Sequence, residues 1–500
     1  MSAGAAELIL GIDLGTSAAK VIASTPGGAI VAGASRSYAL QTPQPGVVEL
    51  DAQEVEHAAL TALRTVLAAT EGRGTVRAVG FSAAMHGFVP VDGSGEPIGP
   101  FVTWMDRRSA SVAQRWQADG TARLLYERTG APVHPMLPSC KLRWFAEHDP
   151  AYIERAAKFV SLKELIVHRW TGEWLVDYGM ASGTGLFDLR TRTWDPAALG
   201  ATGIAETKLS TLASTRATRR LQRATVHALG MPEDTFVVLA SSDGALANLG
   251  VGAIEAGEFA LTIGTSGALR VVVDQPQLDG LGRTFCYAYD DRRYIAGGAT
   301  SSAGAVLEKF AALLLGDVPA PQRLDNALRE AARAPAGARG VTVLPFLSGE
   351  RAPYWRADLR GAIVGLELGN TRADVLRAAF ESVAFALRSV YVVLLERIAA
   401  PQRLRLSGGL AYDPFMRQLL ADVFAIPTTL TDHEEASAFG AAMSAAVAIG
   451  LVADDAAVAA LLRPHYEHAP NPNNGAAYRE AFARYGTTLE KLLGVTATTL

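Results

Sequence analysis

Cysteine is nearly missing from this chain, with only Cys140 and Cys286 present. A disulfide framework is therefore excluded as an organising device, and a reducing, cytoplasmic location is expected. No CxxC and no HExxH spacing occurs, so a dedicated protein metal site of those kinds is not supported. Neither sign of charge dominates: 46 Lys and Arg stand against 50 Asp and Glu, a formal net charge of −4. That balance offers no basic footprint for nucleic acid. The first residues, Met1 to Glu7, lack the basic start and apolar core of a secretory signal. From Ala436 to Ala453 there is no charge, a length near the lower limit for a membrane span. The stretch is mostly alanine, glycine and serine, which gain little on transfer into lipid. A buried helix packed through small side chains is expected there, and no membrane partner. Low-complexity tails and flexible linkers are absent as well.

What is present is a chain of 500 residues, 49% hydrophobic and 19% charged. That is long enough for two or three domains with sizeable cores. Its most informative feature is a repeat. Leu14-Gly15-Thr16-Ser17 returns as Ile263-Gly264-Thr265-Ser266, about half the chain later. Each copy lies between two apolar runs that read as strands. A tight Gly-Thr-Ser turn offers backbone N–H groups and hydroxyls to an anion, and glycine lets the ligand come close. Two such hairpins suggest two similar lobes that hold one polyphosphate between them.

The pattern predicts strands over 7–13, 18–24 and 29–38, then a helix begun by Asp51 and Glu54 as a capping box and continuing to Leu67. Val76 to Phe81 reads as a strand that delivers Ser82 to Gly87 at its end, where open α/β sheets place ligands. A short strand from Thr235 to Ala240 ends in Ser241-Ser242-Asp243-Gly244, and a lobe boundary is placed there. The second lobe repeats the theme with the 259–273 hairpin, a strand at 294–298, a long helix from Arg372 to about Arg397 and a strand at 404–406. The segment 317–338 reads as a surface excursion.

Several residues are placed where chemistry is expected. Asp13 ends an apolar strand beside the first turn, so it either stabilises that turn or helps to hold Mg²⁺. Lys20 lies on the returning strand, one of only seven lysines, and reads as a phosphate charge or an exposed strand residue. Asp243 either caps the following helix or accepts a proton from a sugar hydroxyl as that oxygen attacks phosphorus. Ser407-Gly408-Gly409 after a strand reads as a nucleotide-cradling turn or a plain strand–helix turn. His86 reads as a core histidine or a site residue.

With these residues taken together, the sequence over about 7–490 resembles the FGGY family of carbohydrate kinases, within the actin-like ATPase superfamily. Asp13-Leu14-Gly15-Thr16-Ser17 with Lys20 is similar to the family's first phosphate motif, and Gly264-Thr265-Ser266-Gly267 to its second. Asp243-Gly244 falls at its catalytic base, Ser407-Gly408-Gly409 at its adenosine motif and Ala436 to Ala442 at its C-terminal signature. Ser82 to Gly87, Thr103 to Ser109, Thr129 to Met136, Ala181 to Asp188 and Thr284 to Tyr287 are most similar to gluconokinases. The run Leu344 to Trp355 has relatives in xylulokinases too. Ala84 stands where xylulokinase would have Gln, and Met105 departs from the small residue common in gluconokinases.

The resemblance implies a two-lobed α/β fold of the ribonuclease H-like kind, with a mixed five-stranded sheet in each lobe. A sugar lobe would span 7–240 and a nucleotide lobe 241–490. It implies ATP and Mg²⁺ as cofactors and a small sugar acid as substrate, with D-gluconate first and a pentulose second. A homodimer is left open, and a non-catalytic ATPase switch is disfavoured by the sugar-lining text. Asp243 would be the base and Asp13 the Mg²⁺ ligand. Gly15, Thr16, Ser17, Lys20, Gly264 and Thr265 would hold phosphates, and Gly408 and Gly409 would pass the adenosine. Met85, His86, Trp104 and Asp106 would line the sugar pocket. A gluconate carboxylate needs a compensating donor, for which His86, Lys141 and Arg108 are the candidates in that order.

Overall fold

A computed structural model describes residues 6–255 and 257–495. Two mixed sheets organise it, and their cores have the same topology. In the first, Glu7–Leu14 pairs antiparallel with Ala18–Ser24, which pairs antiparallel with Ile30–Ser37. On its other side Glu7–Leu14 pairs parallel with Thr75–Ala83, and that strand pairs parallel with Phe236–Val238. In the second sheet Glu258–Ile263 forms the hairpin with Gly267–Val273, followed outward by Tyr294–Thr300. Its parallel side is Arg403–Ser407 and then Thr428–Thr431. The expected five strands are thus the core of each lobe. Edge strands enlarge them to six and seven: Thr218–Arg220 in the first, Phe285–Ala288 and Pro464–His468 in the second. All three added strands pair antiparallel.

Central strands buried on both faces read as continuous apolar runs, and Leu8 to Leu14 is buried throughout. The helix after the third strand spans Ala52–Thr70. Asp51 caps it by accepting from Gln53 N at 2.8 Å and Glu54 N at 3.4 Å, and Glu54 returns no bond to Asp51. Helix Arg372–Leu395 is long and apolar enough to cross a membrane, yet it lies almost wholly buried as the core helix of the second lobe.

Two helices join the lobes. Asp243–Val251 follows the last parallel strand of the first sheet, and Ala436–Ala448 comes from late in the chain. The second is buried, as its small residues imply, and it packs against both the first helix and the first lobe's sheet. Glycine makes these approaches possible. A Cβ on Gly11 would fall 1.9 Å from the Ala438 carbonyl oxygen, and one on Gly80 2.1 Å from that of Ala441. Between the helices, a Cβ on Gly440 or Gly250 would fall 2.0 Å from a backbone oxygen, of Leu246 and Ala436 respectively. The segment expected as a surface excursion, 317–338, lies largely at the surface and contains helix Ala320–Ala331 with a strongly amphipathic sequence. Its apolar face, Ala327, Leu328 and Ala331, is buried, which the alanine-rich text concealed.

Candidate active site

The two Gly-Thr-Ser turns face each other across a cleft of about 430 Å³. Gly15, Thr16, Ser17 and Lys20 line it from the first hairpin, and Gly264, Thr265 and Ser266 from the second. A neighbouring cavity of about 500 Å³ shares Gly264 and Thr265 with it and is walled by Gly304, Leu324, Leu328, Gly409 and Tyr412. The second turn therefore stands at the junction of two compartments. Helix Ala320–Ala331 supplies part of the outer one, a contribution the sequence reading missed.

Backbone geometry at the outer compartment requires glycine. Gly408 has φ +89°, and a Cβ there would meet the Ile263 carbonyl oxygen at 2.3 Å. The Ser407-Gly408 turn is thereby pressed directly against the strand that leads into the second phosphate-type turn. Gly409 lines the cavity itself.

Two carboxylates face the inner cleft. Asp13 is buried and accepts a hydrogen bond from Ser82 Oγ at 2.6 Å. Burial pushes its carboxyl up to about 6, with Asp243 and Glu435 adding to the rise. Asp243 is the first residue of helix Asp243–Val251, and Ser242, not Asp243, is the N-cap. Its Oδ1 accepts from Gly244 N at 2.7 Å. Burial raises its pKa, against the pull of the Arg270 guanidinium nearby. A base with a raised pKa is the stronger proton acceptor. Arg270, on the returning strand of the second hairpin, was not anticipated. It donates to Thr262 Oγ1 at 3.3 Å and approaches Gly244 closely.

Of the remaining expected residues, Met85, His86 and Trp104 line the cleft. Trp104 Nε1 donates to Thr16 Oγ1 at 3.0 Å, tying the Thr103 to Ser109 stretch to the first Gly-Thr-Ser turn. Met85 is set by Gly183, where a Cβ would lie 2.5 Å from Met85 Cε. Lys20 lines the cleft but is paired with Glu435 at 2.6 Å. Both partners are about a third exposed, so the pair is weak and exchangeable.

Asp106 is a correction. Its carboxylate is fully buried away from the cleft and spent on structure, accepting from Val48 N at 2.9 Å, Arg108 N at 3.0 Å and the Arg108 guanidinium. Arg108 is consumed in turn by Asp106 and Glu49. Lys141 is corrected too. It is fully buried and donates to the carbonyls of His86, Thr103 and Met136 at 2.6 to 2.8 Å. Burial lowers its pKa to about 7. It clamps the backbone behind the cleft wall and offers nothing to a ligand. His86 stands in the cleft but is no cation, since burial drives its pKa down to about 3. Its Nδ1 lies 2.6 Å from the Gly183 carbonyl oxygen. A carbonyl only accepts, so Nδ1 carries the proton and Nε2 is left as an acceptor.

The wall opposite these residues comes from the second half of the chain: Phe285, Tyr287, Ile295, Ala299 and Arg351. Arg351 lies within the Leu344 to Trp355 run quoted for its family likeness, but nothing in the sequence marked this arginine as the one facing the cleft.

The sequence from 8 to 250 matches the N-terminal domain of the FGGY family of carbohydrate kinases, and 259 to 449 matches its C-terminal domain. The chain belongs to the FGGY family. It is a carbohydrate kinase, and its two lobes have the actin-like ATPase fold. Gluconokinase of Bacillus subtilis is 34% identical, over 94% of this chain and 93% of that one. The crystal structure of gluconate kinase from Lactobacillus acidophilus matches with a TM-score of 0.92 at 32% identity, covering 97% of this chain and 98% of that one. Ligand-bound xylulose kinase from the same organism also gives 0.92, at 31% identity, covering 98% and 99%. Fold similarity thus fixes the FGGY architecture and leaves the choice of sugar to the cleft's own chemistry.

Proposed function

We propose that this FGGY kinase transfers the γ-phosphoryl group of ATP to D-gluconate, giving 6-phospho-D-gluconate. The observation that carries the reading is the placing of Asp243. Its carboxylate opens into the cleft that both Gly-Thr-Ser turns enclose, beside the compartment lined by Gly409. Support for gluconate comes from the 34% identity with a gluconokinase and from two arginines in the cleft wall, Arg270 and Arg351. A carboxylate gives such a cation a charged acceptor, where a neutral sugar offers only hydroxyls.

In this reading the lobe up to about 240 supplies Met85, His86 and Trp104 to the sugar, and the lobe from 241 holds the nucleotide. Gly408 and Gly409 pass the adenosine, while Gly15, Thr16, Ser17, Gly264 and Thr265 receive the phosphates through backbone N–H groups and hydroxyls. Lys20 leaves its exposed partner Glu435 for a phosphate oxygen. Asp243 accepts the proton of the terminal sugar hydroxyl as that oxygen attacks phosphorus, and ADP leaves. Arg270 offsets the negative charge beside Asp243.

Asp13 fits a Mg²⁺ site. Its carboxyl is held up by burial and by two nearby carboxylates, a surplus of negative charge that a hard dication relieves. Mg²⁺ bound there would neutralise phosphate charge.

The test is product identity. With ATP, Mg²⁺ and D-gluconate, ³¹P NMR should show a phosphate ester on the C6 methylene. Asp243→Asn should slow turnover by ~10²–10⁴-fold while nucleotide affinity stays within a few-fold. Wild-type-like turnover by that variant removes Asp243 from the role. A pentulose kinase is the second reading, favoured by the equal structural match to xylulose kinase.

A further inference from the structure

Arg351 is 6% exposed, and among the described residues it forms no ion pair. Arginine is almost never fully buried unless paired. Its Nη2 donates to the Thr300 carbonyl oxygen at 2.7 Å, and its guanidinium lies 4.5 Å above the Trp104 ring. Its Nε is buried with no hydrogen-bond partner. The adjacent Glu350 does not bond to it: Glu350 Oε1 accepts from the backbone N–H groups of Ser301 and Arg351, and Glu350 Oε2 is itself buried without a hydrogen-bond partner. Close by, Tyr287 Oη is also buried without a partner. Burial pushes that phenol's pKa upward, so it remains a donor. Tyr287 is fixed by stacking on Phe285 at 4.5 Å and stands 5.9 Å from the His86 ring.

Two unsatisfied donors, one of them cationic, thus belong to the same wall of the sugar cleft. Each buried donor left unpaired is destabilising, a cost that an incoming acceptor removes. Asp243 offsets the charge of Arg270, whereas Arg351 has Glu350 and Asp243 as counter-charges, neither of them in ion-pair contact among the described residues. Arg270 sits at the Asp243 end, and Arg351 sits over Trp104 near His86 and Tyr287. We propose that Arg351, supported by Tyr287, is the specificity-determining group that receives the substrate's carboxylate at the end of the sugar chain remote from the phosphorylated hydroxyl. This rests on the gluconate reading and replaces His86, Lys141 and Arg108, whose donors and charges are spent or absent.

The experiment compares D-gluconate with D-sorbitol, which has the same carbon chain with a hydroxymethyl group in place of the carboxylate. The readout is the ratio of kcat/KM for the two substrates. A charged hydrogen-bonded contact corresponds to roughly 10- to 150-fold. Arg351→Gln should lower the ratio by about that factor, mainly through the KM for gluconate, and Arg351→Lys should restore part of it. An unchanged ratio in a folded variant overturns the assignment.

A second measurement needs no variant. Phenylglyoxal modification of the wild-type enzyme, mapped by mass spectrometry, should label Arg351, and saturating gluconate should protect it where sorbitol does not. Equal protection by both, protection by neither, or an Arg351 that is never labelled contradicts the assignment. A wild-type enzyme that prefers xylulose to gluconate overturns the function and this assignment together. A gluconate-preferring enzyme whose ratio ignores Arg351 overturns the assignment alone.

Discussion

Asp13 shows at the residue scale how a site is held at the expense of stability. Its carboxyl titrates at about 6 against an ordinary 3.8, a difference worth about 3 kcal/mol. The raised value means the folded state holds the proton more tightly than the unfolded chain. The penalty is therefore fully present above pH 6, shrinks as pH falls through 6 and vanishes below about 4. Asp13→Asn keeps the shape and the acceptor for Ser82 Oγ while removing the charge. It should raise the melting temperature at pH 7.5, lose that advantage by pH 4 and abolish Mg²⁺-dependent turnover. Calorimetry across this range checks it, and an equal or lower melting temperature at pH 7.5 contradicts it.

The residues whose position in the cleft wall was legible are those at a strand end or a tight turn, such as Asp13, Thr16 and Asp243. Sequence reading failed where a charged residue is held by structural partners, some of them distant in the chain, although Asp106 is also held by Arg108 two residues on. Asp106 is occupied by Val48 N, 58 residues away, and Lys141 by the carbonyl of His86, 55 residues away. Neither spacing nor composition reports such long-range bonds. Arg270 and Arg351 were missed for the same reason, because only the folded second lobe brings a strand residue and a loop residue into the cleft wall.

At the scale of elements, helix Ala436–Ala448 decides how the halves meet. Its small residues were legible as a buried helix. That it packs on the first lobe's sheet was not, since a strand and a helix more than 350 residues apart carry no mutual signal. Their fit depends on bare glycine faces. Gly80→Ala would put a methyl group 2.1 Å from the Ala441 carbonyl oxygen and 3.1 Å from Ala445 Cβ, with backbone on both sides. Overpacking of this kind costs about 1–3 kcal/mol, occasionally more. The same helix follows Glu435, the partner of Lys20, so any shift is felt at the first hairpin. Gly80→Ala should lower both the melting temperature and kcat, whereas Ala at the open Gly93 position should leave kcat as it is. Unchanged stability in Gly80→Ala would show that the helix does not seat as described. Helix Ala320–Ala331 was the element least legible, because alanine, proline and arginine obscure its amphipathic period.

Across the whole molecule, each lobe carries one phosphate-type turn, so both can engage a single ATP only when they approach. Closure also keeps water away from the phosphoryl group. Small-angle scattering should report a smaller radius of gyration with gluconate and a non-hydrolysable ATP analogue together than with neither, and an unchanged profile at saturation argues against a moving two-lobe kinase. The duplicated topology was legible from the Gly-Thr-Ser repeat. The edge strands were not, being short segments without alternation.

A cleft lined by both Asp243 and a buried arginine without an ion pair selects a sugar acid. A coupled ADP-release assay that gives kcat/KM for D-gluconate, D-xylulose, D-ribulose and glycerol under identical ATP and Mg²⁺ tests it directly. Gluconate should give the highest value, by at least about 10-fold over each neutral sugar. A higher value for xylulose or ribulose would contradict it.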